Sequence, residues 1–312
     1  MKNNNSQNER RVSLMKASLG EELINFLEDD NVVEIMLNSD KKLWIDTHSE
    51  GRIYTGVELK PTEAERVIKV IASSADEIID DKNPIISAEL LEYGSRFEGI
   101  MPPVVQNPVF TIRKKAILVY TLEDYLKKGS LTEEQYHLVK KCIENKKNIL
   151  IIGGTGTGKT TLTNAIINEI KKDRLVILED TQEIQSNAED TVFLRTSPHV
   201  NMRQLLRSTM RLRPDRICVG EVRGGEALDL LKAWNSGHPG GVSTIHADDS
   251  IGGLNKLEQY IQEVSNNPQR ELIGNAVDVV IVIKRMGLKR VVDEIKTVTY
   301  CREKRDYVLE GV

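Results

Sequence analysis

Asn148-Ile-Leu-Ile-Ile-Gly-Gly-Thr-Gly-Thr-Gly-Lys-Thr-Thr161 is the stretch that decides the fold. Ile149 to Ile152 have strand character, glycines stand at 153, 154, 156 and 158, and Lys159 with Thr160 completes Gly-x-x-x-x-Gly-Lys-Thr. Glycines let the backbone curl until its N–H groups converge on a polyphosphate, and the helix after the loop turns the positive end of its dipole toward the same point. Gly153, Gly154, Thr155, Gly156, Thr157, Gly158, Lys159, Thr160 and Thr161 are therefore the expected nucleotide-binding set. Lys159 is expected at the β- and γ-phosphates of ATP, with the Thr160 hydroxyl on Mg²⁺. Leu162, Ile166 and Ile170 fall at helical spacing, so strand, loop and helix come in the order the motif needs.

Downstream, apolar strands over 174–179, 216–222, 241–247 and 276–284 alternate with helices. Runs such as Leu175-Val-Ile-Leu178 and Ile217-Cys-Val219 are apolar throughout, the mark of a parallel sheet covered on both faces. Ala227, Leu230, Leu231 and Trp234 mark a packed helix between two of these strands. The last stretch, from Lys289, reads as a hairpin with a charged tip at Arg302 to Arg305.

Upstream, residues 1–15 hold almost nothing to bury and are expected as a disordered tail. A short helix ending near Asp29 comes next, then strands over 32–37, 42–46 and 52–59, a helix opened by Pro61, and a strand pair over 89–100 and 109–114. These make a small α+β domain over 16–115. Residues 116–130 read as a linker with about one helical turn. Thr132 caps a helix running to about Asn145, within an ATPase domain spanning 131–312.

With 312 residues, net charge −4 and 4% aromatic content, the chain offers no strongly basic surface and few rings for bases to stack on, so direct nucleic-acid binding is not expected. Cys142, Cys218 and Cys301 lie far apart, without Cys-x-x-Cys, and read as reduced thiols. The amino terminus lacks the apolar core of a secretory signal, and the most apolar run, Val279 to Ile283, is too short to cross a bilayer.

Phosphoanhydride hydrolysis needs a carboxylate at the carboxyl edge of a strand beside the phosphate loop. Arg216-Ile-Cys-Val-Gly-Glu221-Val-Arg223 supplies one in Glu221, the acid of a Walker B arrangement. Glu179-Asp180 closes another strand, either to orient water and complete the metal's surroundings or as ordinary strand-end polarity. His246, at the end of a third, is either a γ-phosphate sensor or a structural histidine. Arg203, Arg207 and Arg211 recur every fourth residue opposite Leu205, Leu206 and Met210. They make either an arginine finger toward a neighbouring subunit or a solvated basic face. Arg96 and Arg113 alternate with apolar neighbours as exposed strand residues do.

The segments GGTGTGKTT (153–161), LEDTQEI (178–184), ICVGEVRGGEALDLLKAWNSGHPGGVSTIHA (217–247) and FTIRKK (110–115) resemble those of secretion ATPases of type IV secretion and conjugation systems, most nearly the TrbB-like conjugal-transfer branch. The resemblance covers roughly residues 20 to 290, and 219–247 is its most specific tract. It implies an α/β fold with a RecA-like P-loop NTPase domain and a parallel-rich sheet, preceded by a small α+β amino-terminal domain. It also implies a hexameric homo-oligomeric ring on the cytoplasmic side of the inner membrane, working with inner-membrane components of a secretion apparatus. Thr160, Glu179 and Glu221 would serve the metal, His246 would be the His-box residue, and Arg113 and Arg96 would reach the nucleotide. The absence of paired Cys-x-x-Cys motifs favours conjugation over pilus extension or type II secretion. The leading reading is a Mg²⁺-dependent ATPase powering conjugative transfer or conjugative pilus assembly; a pilus retraction or assembly motor, a nucleotide-gated scaffold, a small-molecule kinase and a DNA translocase are the competing readings.

Overall fold

The computed structural model describes residues 2–90, 92–115, 120–267, 269–287 and 289–311, with side chains from residue 11 onward. The chain divides into two compact units, Met1–Ile117 and Leu118–Val312.

The first unit opens with helix α1, Lys2–Glu28, kinked at Gly20, whose φ of 77° lies in the left-handed region. Met15, Leu19, Leu23 and Leu27 form its buried stripe, and Arg11 pairs with Asp76 at 2.7 Å just past α2. The segment expected as a disordered tail over 1–15 is thus helical from Lys2, because the stripe that begins at Met15 needs a helix beneath it and Arg11 finds an anchor. Strands β1 (Val32–Leu37), β2 (Lys42–Thr47) and β3 (Gly51–Glu58) form an antiparallel meander. Helix α2 (Pro61–Ser74) begins at a proline, where a missing N–H costs nothing, and buries Ala64, Val67, Ile68 and Ile71.

Then come β4 (Ile85–Leu90), β5 (Ser95–Ile100) and β6 (Val109–Arg113), giving the sheet order β3-β2-β1-β6-β5-β4. The single strand expected over 89–100 is instead a hairpin, since Gly94 takes φ 59° and turns the chain between β4 and β5. One face of this sheet packs with α1 and α2 around Ile35, Phe97, Phe110 and Ile112.

The second unit begins with α3 (Leu122–Lys127), capped by Thr121, and α4 (Glu133–Glu144), capped by Thr132 with Gln135 returning the bond. Leu122 and Tyr125 are buried beside Leu162 and Ile166, so the later part of the expected linker 116–130 belongs to this unit; residues 116–119 lie outside the described residues. In order come β7 (Ile149–Ile152), α5 (Lys159–Ile167), β8 (Leu175–Glu179), β9 (Thr191–Arg195), α6 (Met202–Thr209), β10 (Arg216–Val219), α7 (Glu226–Trp234) and β11 (Val242–Ile245). Helices α8 (Ser250–Gln262) and α9 (Arg270–Ala276) and strands β12 (Val279–Met286), β13 (Lys289–Cys301) and β14 (Asp306–Gly311) complete it.

These strands form one sheet, β14-β13-β12-β7-β11-β10-β8-β9. It is parallel from β12 through β9 and antiparallel over the last hairpin. Strand side chains point alternately to the two faces. Leu150, Ile152, Val176, Leu178, Ile217 and Val219 accordingly pack under α6 to α9, while Ile149, Ile151, Leu175, Ile177 and Cys218 pack under α3 to α5. Both faces being covered explains why these strands read as unbroken apolar runs.

Candidate active site

Ile152 lies opposite Ile245, Leu178 opposite Val219 and Val219 opposite Ser243, so β10 ends about two residues before β11 and β7, and the residues after each of β7, β11, β10 and β8 emerge on one edge. After β7 the loop folds on itself. The Thr157 hydroxyl donates to the Gly154 carbonyl at 2.9 Å, and Gly156 and Gly158 take φ 71° and 95°. A Cβ on Gly153 would stand 2.6 Å from the Ile283 carbonyl oxygen, so β12 approaches too closely for any side chain there. Gly158 caps α5, whose Leu162, Ala165, Ile166 and Ile167 are wholly buried.

Lys159, only 8% exposed, curls back so that its ammonium donates to the Gly153 and Gly154 carbonyls at 3.0 and 2.9 Å. It also stands 3.3 Å from the His246 ring nitrogens at the end of β11. His246 Nε2 lies 2.7 Å from Glu221 Oε1. The ring thus lies between the Lys159 ammonium and the Glu221 carboxylate. Glu221 Oε2 in turn accepts from Arg223 Nε at 2.9 Å and Nη2 at 2.6 Å. Burial works against the Arg223 charge, but the hydrogen bond and charge of Glu221, helped by Asp180 and Glu183, outweigh it and hold the guanidinium above its ordinary value. Asp180 Oδ2 lies 3.8 Å from Arg223 Nη1, and Asp180 Oδ1 accepts from the Thr196 hydroxyl at 3.0 Å.

Glu179 is buried, and its carboxylate accepts the backbone N–H groups of Glu183 and Ile184 at 3.0 Å each. It therefore ties the segment after β8 to the sheet. A Cβ on Gly220 would meet Glu179 Cγ at 2.9 Å, so β10 passes close over that side chain.

The structure thus brings Lys159, His246 and Glu221 together and adds Arg223, which the motifs alone do not single out. A signal is present all the same: Arg223 stands two residues after Glu221, the spacing that puts extended residues on one side. Arg203 and Arg207 go to Asp229 of α7 instead, at 2.6 and 3.6 Å. Helix α6 ends at Thr209, so Arg211 falls beyond it, and Met210, expected on its apolar face, is 40% exposed. In the first unit, Arg96 and Arg113 are direct cross-strand partners, with Glu89 opposite Arg96 and Glu34 opposite Arg113.

Among the described residues no group of three or more His, Cys, Asp or Glu is placed to hold a metal ion. The oxygen donors near the loop, Thr160 and Glu221, are of the hard kind that suits Mg²⁺, which keeps most of its shell as water and phosphate. Among the described residues no helix is long and apolar enough to cross a membrane.

The model of the family described as Type II/IV secretion system protein matches residues 63–299. A probable conjugal transfer protein TrbB of Sinorhizobium fredii is 50% identical over 290 residues, 92% of this chain and 89% of the relative. A type IV secretion system protein VirB11 of Bartonella henselae is 30% identical over 323 residues, covering 88% of this chain and 90% of the relative. Among solved structures, the Legionella pneumophila ATPase DotB aligns with a TM-score of 0.63 at 18% identity, covering 90% of this chain and 80% of that one. The pilus retraction motor PilT with bound ADP aligns at 0.62 and 17%, covering 93% and 83%. These two likenesses speak to the fold, a RecA-like domain with a parallel-rich sheet behind a small α+β domain.

Proposed function

We infer the mechanism from one premise: the chain belongs to the Type II/IV secretion system protein family. It is a nucleotide-binding P-loop ATPase motor of the type IV secretion and conjugation kind. Its turnover powers conjugative transfer, by kinship with relatives named for conjugal transfer and type IV secretion. The carrying observation is the continuous contact from Lys159 through His246 to Glu221, which puts a phosphate-binding ammonium and a carboxylate on one sheet edge.

In this reading the loop amides of residues 153–161 cradle the phosphates, and Lys159 leaves the Gly153 and Gly154 carbonyls for the β- and γ-phosphates. Glu221 orients the attacking water and accepts its proton, while His246, freed from Lys159, reports whether a γ-phosphate is present. Thr160 and Glu221 would hold Mg²⁺, which when bound neutralises charge developing on the phosphate oxygens. Glu179, with its carboxylate on two amides, holds the segment beside the metal. Arg207 acts between subunits of a hexameric ring at the cytoplasmic face of the inner membrane, docked on membrane components of the apparatus.

The test is Glu221→Gln in the full-length protein. Nucleotide binding should remain near wild type while turnover falls by about 10²–10⁴-fold, the range expected for loss of a general base. Wild-type turnover in that variant removes Glu221 from its role. Negligible turnover in the wild-type protein with intact nucleotide binding would favour the scaffold reading.

A further inference from the structure

We propose that Arg223 is a positioning residue for the reaction: it pins one oxygen of Glu221 so that the other faces His246 and the attacking water. This rests on the reading of Glu221 as the acid that handles water.

The local backbone sets the geometry. After β10 ends at Val219, the chain stays tied to β11, with Gly220 accepting from the Thr244 hydroxyl at 2.8 Å and the Val222 N–H donating to the Thr244 carbonyl at 2.9 Å. Val222 is 1% exposed and points into the core, which turns its neighbours Glu221 and Arg223 the other way. The Arg223 and Gly224 N–H groups both donate to Glu226 Oε1, at 2.7 and 2.9 Å, fixing the base of the Arg223 side chain. At the far end, Asp180 lies 3.8 Å from the guanidinium and is itself held by Thr196.

A carboxylate can exchange its two oxygens by rotation about its last single bond. Two donors of one rigid guanidinium on Oε2 oppose that rotation, and Oε1 stays toward His246 at 2.7 Å. A base held in one orientation loses less freedom on the way to the transition state than one that swings. An ordinary surface ion pair would gain little here, since Arg223 is 53% exposed. Its value lies in orientation, so its loss should appear in kcat and hardly in binding.

The experiment compares Arg223→Gln, Arg223→Lys, Glu221→Gln and the double variant Glu221→Gln/Arg223→Gln in the full chain. It reads kcat and KM for ATP, binding of a fluorescent ATP analogue, and the melting temperature. Arg223→Gln should lower kcat about 10- to 100-fold, the usual cost of losing a group that orients a reacting one, with KM and analogue affinity within about twofold. Arg223→Lys should recover part of kcat, because an ammonium keeps the charge but not the fork. If the Gln variant does not fold, the Lys variant decides, and its kcat must then fall below wild type. In the double variant the residual turnover should equal that of Glu221→Gln alone. Wild-type kcat in Arg223→Gln beside a dead Glu221→Gln overturns the proposal and leaves the parent reading standing. Full turnover in Glu221→Gln overturns the parent reading instead. A parallel loss of kcat, affinity and melting temperature in both Arg223 variants marks the residue as merely structural and also overturns the proposal.

Discussion

The two edges of the eight-stranded sheet use the same residue types and differ in what those residues are free to do. At the amino ends of the strands, Arg216 is 5% exposed and donates to Asp173 at 2.6 Å, the Ile143 carbonyl at 3.0 Å and the Gly240 carbonyl at 3.4 Å. Lys146 reaches the same Asp173, and Asn148 bridges the Ala276 carbonyl and the Gly241 N–H. These partners are backbone or carboxylate fixed by neighbouring turns, and they clamp the strand starts. At the carboxyl ends, Lys159, His246, Glu221, Arg223 and Asp180 contact one another on a partly exposed edge. A polar group that holds another movable polar group can change partners when a phosphate arrives. The buried groups at the amino ends, which tie one strand start to the next, cannot do so without unfolding something.

Substitutions at the two edges should therefore separate activity from stability. The largest expected effect is Lys159→Ala, which should take ATP hydrolysis below detection in a phosphate-release assay while the melting temperature stays within a few degrees of wild type; measurable turnover would break the contrast. Next is Arg216→Leu, which leaves Asp173 short of a partner and should cost about 3 kcal/mol in chemical denaturation, with nucleotide affinity of the folded fraction unchanged. Asn148→Ala strands two backbone groups, and its 4% exposure leaves water little access, so about 2 kcal/mol should be lost in the same measurement.

The pH response sharpens the contrast further. Burial pushes the Asp173 carboxyl up, but the hydrogen bonds and charges of Lys146 and Arg216 outweigh it, so its value lies below the ordinary 3.8. A lowered carboxyl contributes stability that is fully present above the unfolded value and is lost as pH falls through the folded one. Melting temperature should therefore drop as pH descends below 3.8, and Asp173→Asn should be less stable at pH 7 and flatter across that range. The smallest effect is expected at the outer end of the polar chain: Thr196→Val should change stability by no more than about 0.5 kcal/mol, because its bond to Asp180 is exposed.

Local signals explain what the sequence revealed. The phosphate loop, the Thr132 cap with its Gln135 return, and the apolar strands around Ile149, Leu175 and Ile217 each depend on neighbours a few residues away, and all of them form as their sequence implies. Features that depend on distant pairing are not legible in the same way. Strand β9, Thr191–Arg195, is a short edge strand with Phe193 40% exposed, and it becomes a strand only because β8 offers it a ladder. The polar start of helix α1 conceals it, although Met15, Leu19, Leu23 and Leu27 keep a helical interval. At the site, Lys159 is legible from the phosphate-loop motif, and His246 and Glu221 as residues just past strand ends, since a parallel sheet gathers such ends on one edge. The grip of Arg223 and the capture of Arg203 by Asp229 are matters of side-chain geometry, which residue spacing does not encode.

The position of β7 has a consequence for synthesis. This strand lies between β11 and β12, so the loop after it is walled by segments translated long after it, up to Ile283, whose carbonyl closes on Gly153. At roughly 5–20 residues per second, a ribosome takes several seconds or more to go from β7 to β12. Until then the emerging polypeptide carries its phosphate motif without the walls that shape it, and nucleotide capture has to wait for β12 to be made.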